Sequence, residues 1–244
     1  MELIFLSGIK RSGKDTTADY INSNFKSIKY QLAYPIKDAL AIAWGRKHAE
    51  NPDVFTELKY EYFEGIGYDR ETPLNLNKLD VIELLEEALI YLQSQYLPIN
   101  NVKVLSSLEG GYSYLDIKPY EALREAINNI NDTWSIRRLM QALGTDVVVN
   151  LFDRMYWVKL FALNYMDYIG SDFDYYVVTD TRQVHEMETA RAMGATVIHV
   201  VRSGTESTDK HITEAGLPIE EGDLVITNDG SLEELYSKIE KILR

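Results

Sequence analysis

Cysteine is absent from the chain, which removes disulfides, thiolate zinc sites and cysteine nucleophiles and suits a reducing compartment. Only four histidines are present, so an imidazole-built metal centre has few candidate ligands. No apolar run approaches the ~20 residues of a membrane span. The first such run, Leu3-Ile4-Phe5-Leu6, is too short for a signal-peptide core and is soon followed by Lys10 and Arg11. The expectation is a soluble, intracellular protein with no membrane partner. Positive charge is also scarce, with 25 Lys and Arg against 38 Asp and Glu and a formal net charge of −13. Such a field repels a nucleic-acid backbone unless basic groups are gathered in one place, so no nucleic-acid partner is expected. A small anion can still be held, because local N–H groups, arginines and Mg²⁺ decide that contest.

What remains is ordinary for a globular chain: 244 residues, 45% of them apolar and 26% charged. Neither internal repeats nor low-complexity tracts occur. The length allows one α/β domain with insertions or a domain and a half, and a single domain over residues 1–244 is the expectation.

The most informative stretch is Gly8-Ile9-Lys10-Arg11-Ser12-Gly13-Lys14-Asp15-Thr16-Thr17. It follows an apolar strand pattern and leads into the helical spacing of Ala18, Ile21 and Phe25. Gly8, Gly13 and Lys14 have the spacing of a phosphate-binding loop, whose glycines let successive N–H groups point at one anion while the lysine reaches the terminal phosphates. That pattern asks for Ser or Thr after the lysine to hold Mg²⁺, whereas this chain has Asp15, with Thr16 and Thr17 next. The alternative is a Gly-Lys turn with no ligand; the strand before it and the helix after it favour the phosphate loop.

Farther along, Ile28 to Leu32 alternates as a second strand, and Pro35 opens a helical pattern through Ile36, Lys37 and Leu40 to Trp44. Lys37 and Trp44 are candidate acceptor contacts, with core packing the alternative for Trp44. Residues 51–77 read as irregular, with Arg70 as either a phosphate ligand or part of a solvated loop. A long helix over Leu79 to Leu92 and a hairpin between Val102 and Ile117 complete a mostly helical insertion, about residues 46–133, on the acceptor side. Arg137 and Arg138 lie on a helix about 100° apart, so one can face a phosphate while the other pairs with an acidic neighbour. A further helix is expected over Val147 to Tyr168. Tyr175 to Asp180 is a strand ending in a carboxylate, which can hold Mg²⁺ through water, accept a hydrogen bond from substrate, or cap the next helix along with Thr181. Thr196 to Val201 is another strand, residues 203–218 read as a mobile cover carrying His211, Leu224 to Ile226 is the last strand, and Leu232 to Ile239 the closing helix.

The loop from Gly8 to Asp19, the run Trp134 to Asp146, Met155 to Phe161, the stretches 175–201 and 211–218, and Val225 to Leu232 resemble the deoxynucleoside monophosphate kinases of T-even bacteriophages. The resemblance implies a P-loop kinase fold, α/β with a five-stranded parallel sheet flanked by helices. It implies transfer of the γ-phosphate of ATP, with Mg²⁺, to dGMP, dTMP and 5-hydroxymethyl-dCMP in the cytoplasm of an infected bacterial host, by a homodimer. Asp15 belongs to this family's version of the loop. On the donor side the resemblance points to Arg11, Gly13, Lys14, Asp15, Thr16, Thr17, His211 and Asn228, with Asp15 and Thr16 toward the metal and Arg182 near the transferred charge. On the acceptor side it points to Lys10, Ile36, Lys37, Trp44, Arg70, Arg137 and Arg138, together with Gly144, Thr145, Trp157, Asp180 and Gln183. Two rivals share the loop: a kinase of another small phosphorylated metabolite, and a nucleotide-gated binding module, against which the separate arginine-bearing stretches argue.

Overall fold

The computed structural model describes residues 1–107, 111–204, 211 and 216–243. In chain order the first elements are β1 (Glu2–Ser7), α1 (Lys14–Asn24), β2 (Ser27–Tyr30), α2 (Tyr34–Glu50), α3 (Tyr60–Glu64) and α4 (Lys78–Gln95). The hairpin strands β3 (Val104–Ser106) and β4 (Ser113–Leu115) follow, then α5 (Ile117–Asn128), α6 (Ile136–Gln141) and a π-helix (Ala142–Phe152). The last part holds α7 (Tyr156–Asp167), β5 (Tyr175–Thr181), α8 (Val184–Ala192), β6 (Thr196–Val201), β7 (Leu224–Thr227) and α9 (Leu232–Ile242). These fall into two compact units, Met1–Leu32 with Trp157–Arg244, and Ala33–Tyr156.

The first unit is the expected α/β layer structure. Five strands lie in the order β2-β5-β1-β6-β7, and every pairing is parallel. Because side chains alternate across a strand, Ile4 and Leu6 of β1 join Val177, Ile198 and Ile226 on one face, where Ile21 of α1 and Leu235 and Ile239 of α9 close the core. The opposite face is aromatic: Phe5 meets Phe161 of α7 edge-on, and Tyr30, Tyr165 and Tyr176 pack around the same ring. Parallel strands covered on both faces explain why β1 reads as an unbroken apolar run.

The second unit is mostly helical. Asn77 and Asp80 form a capping box that starts α4, and the two hairpin strands pair antiparallel from Val104↔Leu115 to Ser106↔Ser113. Two sequence expectations need correction. Residues 51–77 contain a short helix, α3, stopped by Gly65 at φ +82°, a left-handed conformation suited to glycine. The single helix expected over Val147 to Tyr168 is instead a π-helix followed by α7, because the chain turns at Asp153. There the backbone is extended, the Asp153 carboxylate accepts the Met155 N–H at 3.2 Å and its carbonyl accepts the Tyr156 N–H at 3.1 Å. Among the described residues no helix is long and apolar enough to cross a membrane.

Candidate active site

The loop between β1 and α1 has the shape of an anion cradle, and its two glycines are required for different reasons. A Cβ on Gly8 would lie 2.4 Å from Ser12 Oγ and 2.7 Å from the Val200 carbonyl, so the chain folds back too closely for a side chain. Gly13 sits at φ +99°, and a Cβ there would lie 2.1 Å from Asn228 Nδ2. That amide donates to the Ser12 carbonyl at 2.9 Å, which ties the turn after β7 to the loop. Arg11 adopts φ +66° at the exposed tip, and Lys10 is exposed beside it.

Lys14 is 6% exposed. Its ammonium donates to the Thr179 carbonyl at 2.5 Å and to Asp15 Oδ1 at 2.7 Å, so the lysine stands at the end of β5. Partial desolvation works to raise the Asp15 pKa, but Lys14 beside it, with Arg182 and Lys29, holds the carboxyl below its usual range. An ionised, outward-facing carboxylate in the first turn of α1, followed by the half-buried Thr16 hydroxyl, is a hard-oxygen set of the kind Mg²⁺ takes together with phosphate and water. Thr17 is 0% exposed and its hydroxyl donates to the Gly13 carbonyl at 3.1 Å. Asn228, half-buried, serves the loop through Ser12.

The carboxyl end of β5 is irregular where the chemistry is expected. Phe5 pairs with Val178 and Ser7 with Thr181, so the register slips by one residue at Thr179 and Asp180. The slip lies where the Thr179 carbonyl takes Lys14 and Asp180 Oδ1 accepts the Leu32 N–H at 2.7 Å. The idea that Asp180 or Thr181 caps the next helix is corrected: the cap of α8 is Gln183, in a reciprocal box with Glu186. Arg182 and Gln183 are half-buried beside it. Glu186, 4% exposed, was missed by sequence reasoning, although Gln183-x-x-Glu186 has the spacing of a capping box. Trp157 is buried in the same unit. His211 is half-buried, but the rest of the expected cover at 205–210 and 212–215 lies outside the described residues.

In the second unit the expected acceptor residues form a cluster of paired cations. Lys37, on α2, is 7% exposed and donates to Glu64 at 2.5 Å. Arg70 is half-buried rather than solvated: its guanidinium reaches the Phe63 carbonyl at 3.3 Å, and its own carbonyl accepts the Arg137 N–H at 3.0 Å, which brings the two arginine-bearing stretches together. The Arg137 guanidinium lies 3.3 Å from Glu71. Arg138 is the arginine that pairs structurally, with Asp132 at 2.7 Å and Asp146 at 2.9 Å, and it lies over the Trp134 ring. Of the two adjacent arginines it is the one with two acidic neighbours. Trp44 is also corrected: it is 1% exposed, packs against Phe55 and Phe63, and donates its indole N–H to Thr56, which is the core-packing alternative. Gly144 is a packing position, because a Cβ there would lie 2.6 Å from Ile36 Cδ1, and Thr145 next to it is buried. Beyond the sequence expectations, Asp38 accepts the hydroxyls of Tyr60, Tyr91 and Tyr96, tying α3 and α4 to α2 beside Lys37.

Comparison with known proteins identifies the family. The family model described as deoxynucleotide monophosphate kinase matches residues 2–239. A protein of that description from Escherichia phage RB69 is 97% identical over 244 residues, covering all of both chains. Another, from Enterobacteria phage T4, is 62% identical over 244 residues, covering all of this chain and 99% of the relative. The chain therefore belongs to the deoxynucleotide monophosphate kinase family.

Proposed function

We propose that the chain transfers the terminal phosphoryl group of ATP, with Mg²⁺, to deoxynucleoside 5′-monophosphates, with dGMP, dTMP and 5-hydroxymethyl-dCMP as the preferred acceptors. The observation that supports this reading most is the Gly8–Lys14 cradle, whose buried lysine stands on the Thr179 carbonyl at the end of β5.

The chemistry asks for positioning and charge neutralisation more than for covalent catalysis. An acceptor monophosphate already carries anionic oxygens, so no general base is needed to make it a nucleophile. Donor phosphates are cradled by the loop N–H groups and those of the first turn of α1, at the positive end of the helix. Lys14 neutralises charge that grows on the bridging and terminal oxygens. Asp15 and the Thr16 hydroxyl would hold Mg²⁺, which when bound offsets phosphate charge as a Lewis acid. Arg182 acts near the transferred group, while Asp180 and Gln183 meet the acceptor nucleoside.

The unit Ala33–Tyr156, including the insertion at about 46–133, takes the acceptor. Lys37, Arg70 and Arg137 hold its phosphate, with Ile36, Gly144 and Thr145 shaping the surroundings. Lys37 and Arg137 lie against Glu64 and Glu71, so the phosphate competes with carboxylates, a contest that favours a dianion over a singly charged ligand. A homodimer is part of the same reading, and sedimentation velocity checks it.

The test is an ATP-dependent kinase panel over the common deoxynucleoside monophosphates, 5-hydroxymethyl-dCMP and the ribonucleotides. Phosphorylation of the three named acceptors above the rest is the expected result. Turnover only with a different phosphorylated metabolite, or ATP loss that ignores the monophosphate, would replace this reading with one of the two rivals.

A further inference from the structure

Glu186 has no task in the phosphoryl-transfer scheme, yet it is 4% exposed at the start of α8. Its Oε2 accepts the N–H of Arg182 at 2.8 Å and the N–H of Gln183 at 3.0 Å. In return the Gln183 side chain accepts the backbone N–H of Glu186. Both N–H groups belong to the short turn that carries Arg182 and Gln183 out of β5. A glutamine of the same shape would accept these bonds without the cost of burying a charge. Burial pushes the Glu186 carboxyl up to about 7; the two N–H groups and the Arg182 guanidinium oppose that rise and the Asp180 carboxylate on β5 adds to it. Where the carboxyl is ionised, the two hydrogen bonds take their stronger, charge-assisted form.

We propose that Glu186 is a positioning residue for the transfer, its carboxylate fixing the direction in which Arg182 and Gln183 leave the sheet. The inference rests on the roles given to those two residues above. In the ionised state both N–H groups are gripped and the guanidinium of Arg182 is held where charge passes between phosphates. Protonation weakens the grip and loosens the turn without disturbing the phosphate loop, which is built on other hydrogen bonds.

The experiment measures kcat and KM for ATP and for the best monophosphate across about pH 5.5 to 9 in the parent, E186Q and E186A, with circular dichroism as the folding control. In the parent, kcat falls about fivefold as pH drops through the Glu186 pKa. E186Q stays near that low plateau at every pH, with the acid limb gone, and E186A falls about 10- to 100-fold. The KM for ATP stays within about twofold throughout, as expected for a group that acts only on the turn. E186Q is isosteric, so its profile decides the matter even if E186A does not fold. An acid limb that persists unchanged in E186Q, or a folded E186A with the parental kcat, overturns the inference alone. A parent inert toward every monophosphate overturns it together with the functional reading.

Discussion

Alanine at Gly13 places two costs on one spot, and the second can be separated from the first. At φ +99° a non-glycine residue costs about 1–2 kcal/mol. The new Cβ also lies 2.1 Å from Asn228 Nδ2, so the amide must leave and lose its 2.9 Å bond to the Ser12 carbonyl, which is about 1 kcal/mol. G13A therefore costs about 2–3 kcal/mol, and N228A, which loses only the hydrogen bond, about 1 kcal/mol. In the double variant the Cβ has room, so the sum falls about 1 kcal/mol short of additivity, well above the scatter of about 0.3–0.5 kcal/mol for independent sites. Urea unfolding of the four proteins gives the coupling, and calorimetric ATP titration gives its functional counterpart. If the loop cost falls on binding, ATP affinity drops about 30-fold in G13A and recovers part of that loss when Asn228 is also removed. Additive free energies would show that the amide and the loop backbone do not compete for the same space, and would refute the account of why glycine stands there.

Arg70→Ala should raise the KM for the monophosphate about tenfold or more, a charged contact of about 1.5–3 kcal/mol, while the KM for ATP stays put; an unchanged acceptor profile in steady-state assays would return Arg70 to a packing role. Asp15→Ala should shift the Mg²⁺ concentration needed for half-maximal rate upward, and a titration that overlays the parent would leave Asp15 as a partner of Lys14 alone. Hydrogen bonds from Arg191, joined by those from the Glu220 N–H and His199, hold Asp223 down to about 2. Because the folded pKa is depressed, that stability is complete above the ordinary value of 3.8 and is lost as pH falls toward 2. Melting temperatures of D223N should be lower at neutral pH and flatter than the parent's across that acid window; parallel curves would exclude the linkage.

Sequence alone determined the features that depend on local pattern. The β1 run, the glycine loop and α1 are written within the first 25 residues, since glycine spacing and 3.6-residue periodicity act over short distances. The strand patterns of β2, β5, β6 and β7 were equally legible, which sufficed for a parallel α/β sheet. Contacts between residues far apart in the chain were decided only by the tertiary structure. Trp44 and Lys37 lie on one helix and both were plausible acceptor contacts, but only packing shows that the tryptophan is spent on Phe55 and Phe63 while the lysine meets Glu64. Adjacent Arg137 and Arg138 look alike in sequence; folding gives the first Glu71 as its acidic neighbour and the second Asp132 and Asp146. Asn228 meets the loop across 216 positions, and the register slip at Thr179 exists only where two strands pair. A side chain's chemistry follows from its type, whereas its availability depends on which neighbours folding brings within hydrogen-bonding distance.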